Sequence, residues 1–232
     1  LIGTSIEWYD FFLYGTMAAI VFNKLFFPND DPVIALLLAY ASFAVSFLIR
    51  PLGGIIFSHL GDKIGRKKSL IYTLFLMGLA TVIIGLLPTY EMIGIWAPIL
   101  LLICRLGQGL GIGGEWGGGM LLAVEYAPEK KRGFFGSVPQ MGSPIGMLLG
   151  TLTVSILTVL LSDEAFMSWG WRIPFIASAV LVIVGLWIRN GLEETPAFQE
   201  AQKSKKVVKV PLTHTLKYHW KAVLIAIGAK VV

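Results

Sequence analysis

The chain has 232 residues, of which 56% are apolar and only 14% are charged, and its net charge is +5. Soluble domains carry about 25% charged residues, so this chain has too few to coat a surface that faces water. Its basic residues lie in short connectors rather than on one helix face, which argues against a nucleic-acid-binding protein. A single cysteine, Cys104, excludes an internal disulfide framework.

Nearly charge-free stretches that are long enough to cross a bilayer alternate with charged connectors. They predict six complete transmembrane helices, at about 1–22, 33–60, 69–87, 94–123, 133–160 and 172–190. A seventh begins near Tyr218 and stops at Val232, too short for about 30 Å of hydrocarbon. Because the chain also begins without a methionine, we expect both ends to continue in a longer protein.

The pattern divides the chain into a six-helix transmembrane bundle (1–190), a polar linker (191–217) and the start of a seventh helix (218–232). The basic residues predict the orientation of the bundle. Fourteen Lys and Arg residues lie in the connectors 61–68, 125–132 and 189–221, whereas the other connectors hold two. The basic side is therefore predicted to be cytoplasmic.

Three of the predicted helices carry polar residues at helical spacing. The three stripes consist of Glu7, Asp10 and Tyr14, of Ser42, Ser46 and Arg50, and of Arg105, Gln108, Ile112 and Glu115. A charge at the centre of a bilayer costs several kcal/mol unless it is paired or faces water. These charges either pair to hold helices together or line a polar pathway, and we favour the pathway. A rise of about 1.5 Å per residue puts the two arginines at levels where they can meet the acids of the first helix.

The fourth helix also contains the glycine-rich segment 109–114, which formally matches a dinucleotide fingerprint. No strand precedes it, so we predict that no cofactor binds there. The glycines instead predict close helix packing. They are Gly107, Gly109, Gly111, Gly113, Gly117 and Gly118.

The connector 58–68 reads SHLGDKIGRKK. Asp62 could accept hydrogen bonds from the start of a helix, and Arg66 could clamp a carboxylate. A plain basic loop explains the same residues equally well, so the residues alone leave both interpretations open.

Several motifs in order resemble one family. GDKIGRKK at 61–68 resembles the loop between helices two and three of the major facilitator superfamily, and RLGQG at 105–109 resembles its fourth-helix arginine motif. Further matches are EWYDFFLYG at 7–15, RPLGG at 50–54, GGEWGGG at 113–119, WGWRIPF at 169–175 and LEETPAF at 192–198. Together they resemble the metabolite:proton symporters, which include shikimate, 2-oxoglutarate, citrate and proline/betaine carriers. Ser58 departs from the glycine that is common there, and Lys230 stands where relatives often have arginine.

The resemblance implies a fold of twelve helices in two six-helix bundles, each built from inverted three-helix repeats. This chain would supply the first bundle, and a carboxy-terminal bundle of the same polypeptide would complete a substrate site at mid-membrane. It also implies a multi-pass protein of the bacterial inner membrane. The amino terminus and the 191–217 loop would be cytoplasmic, and a proton gradient would supply the energy without a cofactor or metal.

The resemblance also implies roles for individual residues. The predicted contacts for a small organic acid or betaine-like substrate are Arg50, Arg105, Tyr14 and Gln140. The candidates for the coupling proton are Glu7, Asp10 and Glu115. The predicted cytoplasmic gate consists of Gly61, Asp62, Gly65 and Arg66. Desolvation and a nearby arginine act oppositely on a carboxyl group, so substrate and proton occupancy would be linked.

Other functions fit less well. An exporter or antiporter would have a different glycine–proline spacing from that at 142–146, and a neutral sugar does not need the buried charges, although LEETP resembles a sugar-carrier loop. No catalytic motif indicates an enzyme. A membrane receptor that binds its ligand without transporting it is a further alternative, because a fold does not determine a function.

Overall fold

The computed structural model describes residues 1–191, 193–194, 198–199 and 220–231, with side chains in the last segment only as far as residue 225. Most of the predicted linker 191–217 and the side chain of Lys230 lie outside the described residues. The long helices are α1 (Ile2–Met17), α2 (Pro32–Ile64), α3 (Arg66–Leu86), α4 (Trp96–Tyr126), α5 (Gly142–Leu160), α6 (Arg172–Gly191) and α7 (Trp220–Val231).

Helices α1 to α6, with their flanking turns, lie where the six transmembrane helices are predicted. Among the described residues, five segments are long and apolar enough to cross a membrane, and they contain α2 to α6. The 16-residue α1 continues without a break through the π turn Ala18–Phe22 and the short helix Asn23–Leu25. A 3₁₀ turn (Glu129–Lys131), a short helix (Arg132–Ser137) and a second 3₁₀ turn (Val138–Met141) precede α5.

The turn between α2 and α3 consists of one residue. Gly65 has φ +106°, a conformation that L side chains rarely adopt, so the chain reverses there without a loop. Gly61, one turn earlier, lies in ordinary contact range of Ser69. Both helices therefore extend beyond their predicted ends at 60 and 69. We call this end of the molecule, where α2 meets α3 and α4 leads towards α5, the basic end.

Three of the main helix contacts follow the pattern of inverted repeats. Helix α1 packs on α5 and α4 packs on α2, while α3 packs on α6. Exchanging the first three helices with the last three converts the first contact into the second and leaves the third unchanged. The bundle is thus a six-helix unit with inverted 3+3 repeats.

Glycine allows the closest of these contacts. A Cβ atom on Gly109 or Gly113 would overlap the backbone of α2, and one on Gly146 would overlap the backbone of α1. The prediction of close packing was wrong for Gly117, where a Cβ atom would meet nothing within 4 Å in the described chain, and a Cβ atom on Gly107 would make only ordinary contacts. Glycine near a helix contact predicts proximity only when it faces the partner helix.

The surface of the bundle is apolar and its interior holds polar groups. Leu48, Val159 and Trp187 are 82%, 84% and 76% exposed, as expected for side chains that face lipid. Thirteen polar or charged residues are buried among the described part of the chain, and they include all three acids and one of the two arginines of the predicted pathway.

Candidate functional site

Arg105 lies at the centre of a buried polar network. It is 1% exposed, and its two terminal nitrogens donate to Gln108 Oε1 (2.6 Å), to Ser46 Oγ (2.6 Å) and to the Phe43 carbonyl (3.3 Å). Its guanidinium also lies 3.8 Å from the centre of the Tyr14 ring. The close approach of α4 to α2 brings these groups within reach of one another.

Asp10 joins this network through two intermediate side chains. Gln108 Nε2 donates to Thr81 Oγ1 (2.7 Å), and Thr81 Oγ1 donates to Asp10 Oδ2 (2.8 Å). No ion pair within 4 Å joins Asp10 to Arg105 among the described residues. Within the same residues, Asp10 Oδ1 has no hydrogen-bond partner. Asp10 and Arg105, which were predicted to meet, are therefore connected through the amide of Gln108 and the hydroxyl of Thr81.

Tyr14 extends the network towards α2. Its hydroxyl lies 2.7 Å from Ser42 Oγ, and Ser42 Oγ lies 2.6 Å from the Ala39 carbonyl. A serine hydroxyl has one hydrogen, so when it donates to the carbonyl it must accept from Tyr14. Tyr14 thus presents its ring face to Arg105 and its hydroxyl to α2.

Arg50 lies at the edge of the bundle, half-buried between two aromatic rings. Its guanidinium is 4.3 Å from the centre of the Phe47 ring and 5.0 Å from that of Phe11. Glu7, which is 3% exposed, attracts it electrostatically. Glu7 Oε2 and Arg50 Nε have no hydrogen-bond partners within the described chain. The Arg50 side chain is therefore a cationic hydrogen-bond donor that lies between apolar aromatic rings.

Glu115 belongs to a separate polar cluster near the basic end. It forms an ion pair with Arg189 of α6, and Thr73 of α3 donates to its other oxygen (2.8 Å). Arg189 also donates to the Leu70 carbonyl. A cavity of about 400 Å³ adjoins this cluster, and its wall is mostly apolar. Glu115 therefore ties three helices together.

The predicted gate residues form an ionic cluster at the basic end. Asp62 pairs with Arg66 at 2.8 Å, and Arg66 Nε lies 3.9 Å from Glu125 Oε1. Of the two interpretations left open for Asp62, hydrogen bonding to the start of a helix is not seen in the described chain. Glu194 takes that place, accepting from the backbone N–H groups of Arg66 (2.9 Å) and Lys67 (3.1 Å).

The structure brings Asp10, Tyr14 and Arg105 together and places Gln140 elsewhere. Gln140 is exposed in the 3₁₀ turn that precedes α5, outside the buried network. No group of three His, Cys, Asp or Glu residues in the described part of the chain could hold a metal ion.

Three residues that contact these groups were missed by the sequence analysis, namely Thr81, Arg189 and Glu194. Thr81 had a signal that could have found it, because Thr73, Met77 and Thr81 recur every four residues on one face of α3. Arg189 was counted with the basic connector, although it occupies the last turn of α6. Nothing local in the sequence links Glu194 to the start of α3.

Comparison with known proteins identifies similar chains. The family model described as sugar (and other) transporter matches residues 1–210. The inner membrane metabolite transport protein YhjE of Escherichia coli K12 is 55% identical over 219 residues, which are 94% of this chain and 50% of that protein. The shikimate transporter of the same organism is 50% identical over 219 residues, again 94% of this chain and 50% of the relative.

A solved structure of the proton:xylose symporter XylE bound to 6-bromo-6-deoxy-D-glucose resembles the fold with a TM-score of 0.77. It is 18% identical and covers 87% of this chain and 45% of that one. The present chain thus spans about half the length of the curated relatives it matches.

Proposed function

The chain belongs to the sugar (and other) transporter family of the major facilitator superfamily, whose members are transporters rather than enzymes; on this premise we propose that the whole protein takes up a small organic acid or zwitterion together with a proton. The observation that carries the proposal is the buried link from Arg105 to Asp10 through Gln108 and Thr81. It connects an anion-binding group to a proton-binding group inside one bundle. Alternating access of the two bundles would move both across the membrane.

Substrate recognition is assigned to the arginines. A guanidinium suits a carboxylate because it offers donors in a planar fork. Arg50 is the more accessible of the two, and its Nε has no partner within the described chain. Arg105 is held more tightly, with Tyr14 against its face. The bundle that follows in the polypeptide would supply the other side of the site, and Gln140, exposed before α5, is a candidate contact at that boundary.

Asp10 is the preferred proton carrier among the three predicted acids. One of its oxygens accepts from Thr81 and the other has no partner in the described chain, so it can take up a proton without breaking an ion pair. Glu115 would first have to release Arg189. Glu7 has an unpartnered oxygen as well and remains the second candidate.

The cluster of Asp62, Arg66 and Glu125 would close the basic end against the second bundle in one state of the cycle. We place this end in the cytoplasm of a bacterium, with the protein in the inner membrane, because connectors rich in Lys and Arg stay on that side. No cofactor or metal is part of the proposal.

Uptake by the full-length carrier in proteoliposomes tests the proposal. The substrates would be shikimate, 2-oxoglutarate, proline, glycine betaine and xylose, each with and without an imposed proton gradient. We expect gradient-driven accumulation of a carboxylate compound. Asp10→Asn should abolish accumulation and leave substrate exchange, whereas Asp30→Asn, an exposed aspartate outside the helices, should change neither. Uptake of xylose alone would favour a sugar carrier, and equilibration that ignores the gradient would favour a facilitator.

A further inference from the structure

Thr81 has a hydroxyl group with more acceptors than hydrogens. Its Oγ1 lies 2.8 Å from Asp10 Oδ2 and 3.0 Å from the carbonyl oxygen of Met77, one turn earlier in α3. A hydroxyl can donate only one hydrogen bond of this strength at a time. Thr81 is fully buried, so water cannot serve as an alternative partner at little cost. The hydroxyl must therefore choose between the carboxyl group and the backbone.

The orientation of Gln108 is fixed by its neighbours. Arg105 has only donors, so the amide oxygen of Gln108 must face it, and the amide nitrogen must then face Thr81. Thr81 Oγ1 thus always accepts from Gln108, and its second lone pair and its hydrogen remain for Asp10 and Met77. This fixes the direction of every hydrogen bond in the chain from Arg105 to Thr81.

We propose that Thr81 is a positioning residue whose hydroxyl donates to Asp10 when Asp10 is ionised and turns to the Met77 carbonyl when Asp10 carries a proton. In the second state the protonated carboxyl group donates to Thr81 Oγ1 instead. Both states keep Asp10 Oδ2 and Thr81 Oγ1 hydrogen-bonded to each other, so a proton binds at Asp10 without leaving either of these two buried oxygens unsatisfied. No bond other than hydrogen bonds changes, and the proton stays on the carboxyl group.

Gln108 extends this arrangement to Arg105. A substrate carboxylate that draws the Arg105 guanidinium towards itself weakens the hydrogen bond to Gln108 Oε1. Gln108 then holds Thr81 less firmly, and the donor to ionised Asp10 is less well placed. This part rests on the proposed function, because it requires an anionic substrate at Arg105. It gives a physical path by which substrate binding and proton binding affect each other.

Few other charged groups act on Asp10. Arg105 does so from α4, and Glu7 lies on the same helix as Asp10. Helix α5 contains no charged residue, and the charged residues of α3 lie in its first turn at the basic end.

The remaining helices that pack near α1 direct their charges elsewhere. Arg50 of α2 faces Glu7, and Arg189 of α6 is paired with Glu115. Arg172, at the other end of α6, donates to the carbonyls of Gly85 and Leu87. A change at Thr81 should therefore act on Asp10 without a second titrating partner from these helices.

Infrared difference spectroscopy of the full-length carrier in lipid tests the proposal without a substrate. The carboxyl band that disappears in Asp10→Asn reports the protonation of Asp10 as pH is varied. Thr81→Val keeps the side-chain shape and removes the donor to the ionised carboxylate, so the midpoint should rise by about one pH unit. Thr81→Ser keeps the hydroxyl and should restore the midpoint. Gln108→Met should produce a smaller rise.

An unchanged midpoint in Thr81→Val, or equal shifts in the valine and serine variants, would overturn the role of Thr81. An unchanged midpoint in Gln108→Met would overturn the link to Arg105. A parallel measurement of shikimate uptake against pH separates the two proposals. If the wild-type carrier does not take up shikimate with protons, that substrate is wrong, while the infrared result still decides whether Thr81 controls Asp10.

Discussion

Glu115 in α4 and Arg189 in α6 form a buried ion pair, and the carboxylate of Glu115 also accepts a hydrogen bond from Thr73 in α3. The side chains of the pair are 4% and 12% exposed. One carboxylate therefore holds three helices. Asp10 differs because it accepts a single side-chain hydrogen bond within the described chain and has an unpartnered oxygen. Two buried acids in one bundle thus have different surroundings, and we expect different consequences when each is neutralised.

Neutralising Glu115 should destabilise the protein more than neutralising both members of its pair. Glu115→Gln leaves the charge of Arg189 buried without compensation, and a loss of about 3 kcal/mol in the free energy of unfolding is expected. Glu115→Gln combined with Arg189→Gln should recover much of that loss. Thermal unfolding of the full-length carrier and the two single variants completes the double-mutant cycle. Additive losses would mean that the pair does not stabilise the bundle.

Gly113→Ala should separate α2 from α4, whereas Gly117→Ala, on the same helix, should not. A Cβ atom at 113 would overlap the carbonyl of Arg50, while one at 117 would meet nothing within 4 Å. We expect a loss of about 1–3 kcal/mol for the first. The second should be neutral or gain up to about 1 kcal/mol from the better helix propensity of alanine. Unfolding measurements on both variants check the contact, and equal effects would contradict it.

The features that the sequence predicted are those determined within a single helix, namely its polar stripe and its length. The stripes that contain Asp10, Arg105 and Ser46 follow from the helical period, and the structure places all three side chains in the interior. The lengths and number of the helices follow from runs of apolar residues, because hydrocarbon excludes charge locally. The resemblance supplied the inverted repeats, and the contacts of α1 with α5 and of α2 with α4 agree with it.

The sequence could not predict which residues of different helices meet. Thr81 bridges Asp10 and Gln108 only because α3 packs beside α4, and the four-residue spacing of Thr73 and Thr81 marks a face of α3 without showing which helix that face meets. Gly117 lies in the same glycine-rich segment as Gly113, but a Cβ atom there would meet nothing within 4 Å in the described chain. Glu194 reaches the start of α3 across more than a hundred residues of sequence. Such pairings depend on tertiary geometry, which spacing within one helix does not contain.

Glu194→Ala should loosen the first turn of α3. The carboxylate of Glu194 accepts from the backbone N–H groups of Arg66 and Lys67, where the partial positive charge of the helix end favours an anion. A loss of roughly 1 kcal/mol in local stability is expected. Hydrogen–deuterium exchange of peptides that cover these amides measures it. Glu193→Ala removes the same charge one residue earlier and is the control. Equal protection in both variants would contradict the assigned contact.

Arg50→Gln should weaken binding of a carboxylate substrate with little effect on stability. The Arg50 side chain is half-buried and is not part of an ion pair within 4 Å in the described chain. A hydrogen bond to a charged group contributes about 1.5–3 kcal/mol, so the Kd should rise roughly 10- to 100-fold. Calorimetric titration of the full-length carrier with shikimate measures it, with Lys24→Gln as an exposed control of the same charge change. An unchanged Kd would remove Arg50 from the substrate site.

The orientation of the bundle can be measured by labelling single exposed cysteines that are introduced into the full-length carrier after its own cysteines are replaced. In the present 232 residues this requires only Cys104→Ser, at a buried position. Lys131→Cys lies at the basic end, and Asp163→Cys lies at the opposite end between α5 and α6. In right-side-out vesicles, we expect a membrane-impermeant thiol reagent to label position 163 at once and position 131 only after the membrane is opened, because the proposed orientation places the basic connectors in the cytoplasm. Immediate labelling of position 131 would show that the bundle has the opposite orientation. The Asp62–Arg66 pair would then lie on the outer side, where it could not close the cytoplasmic end.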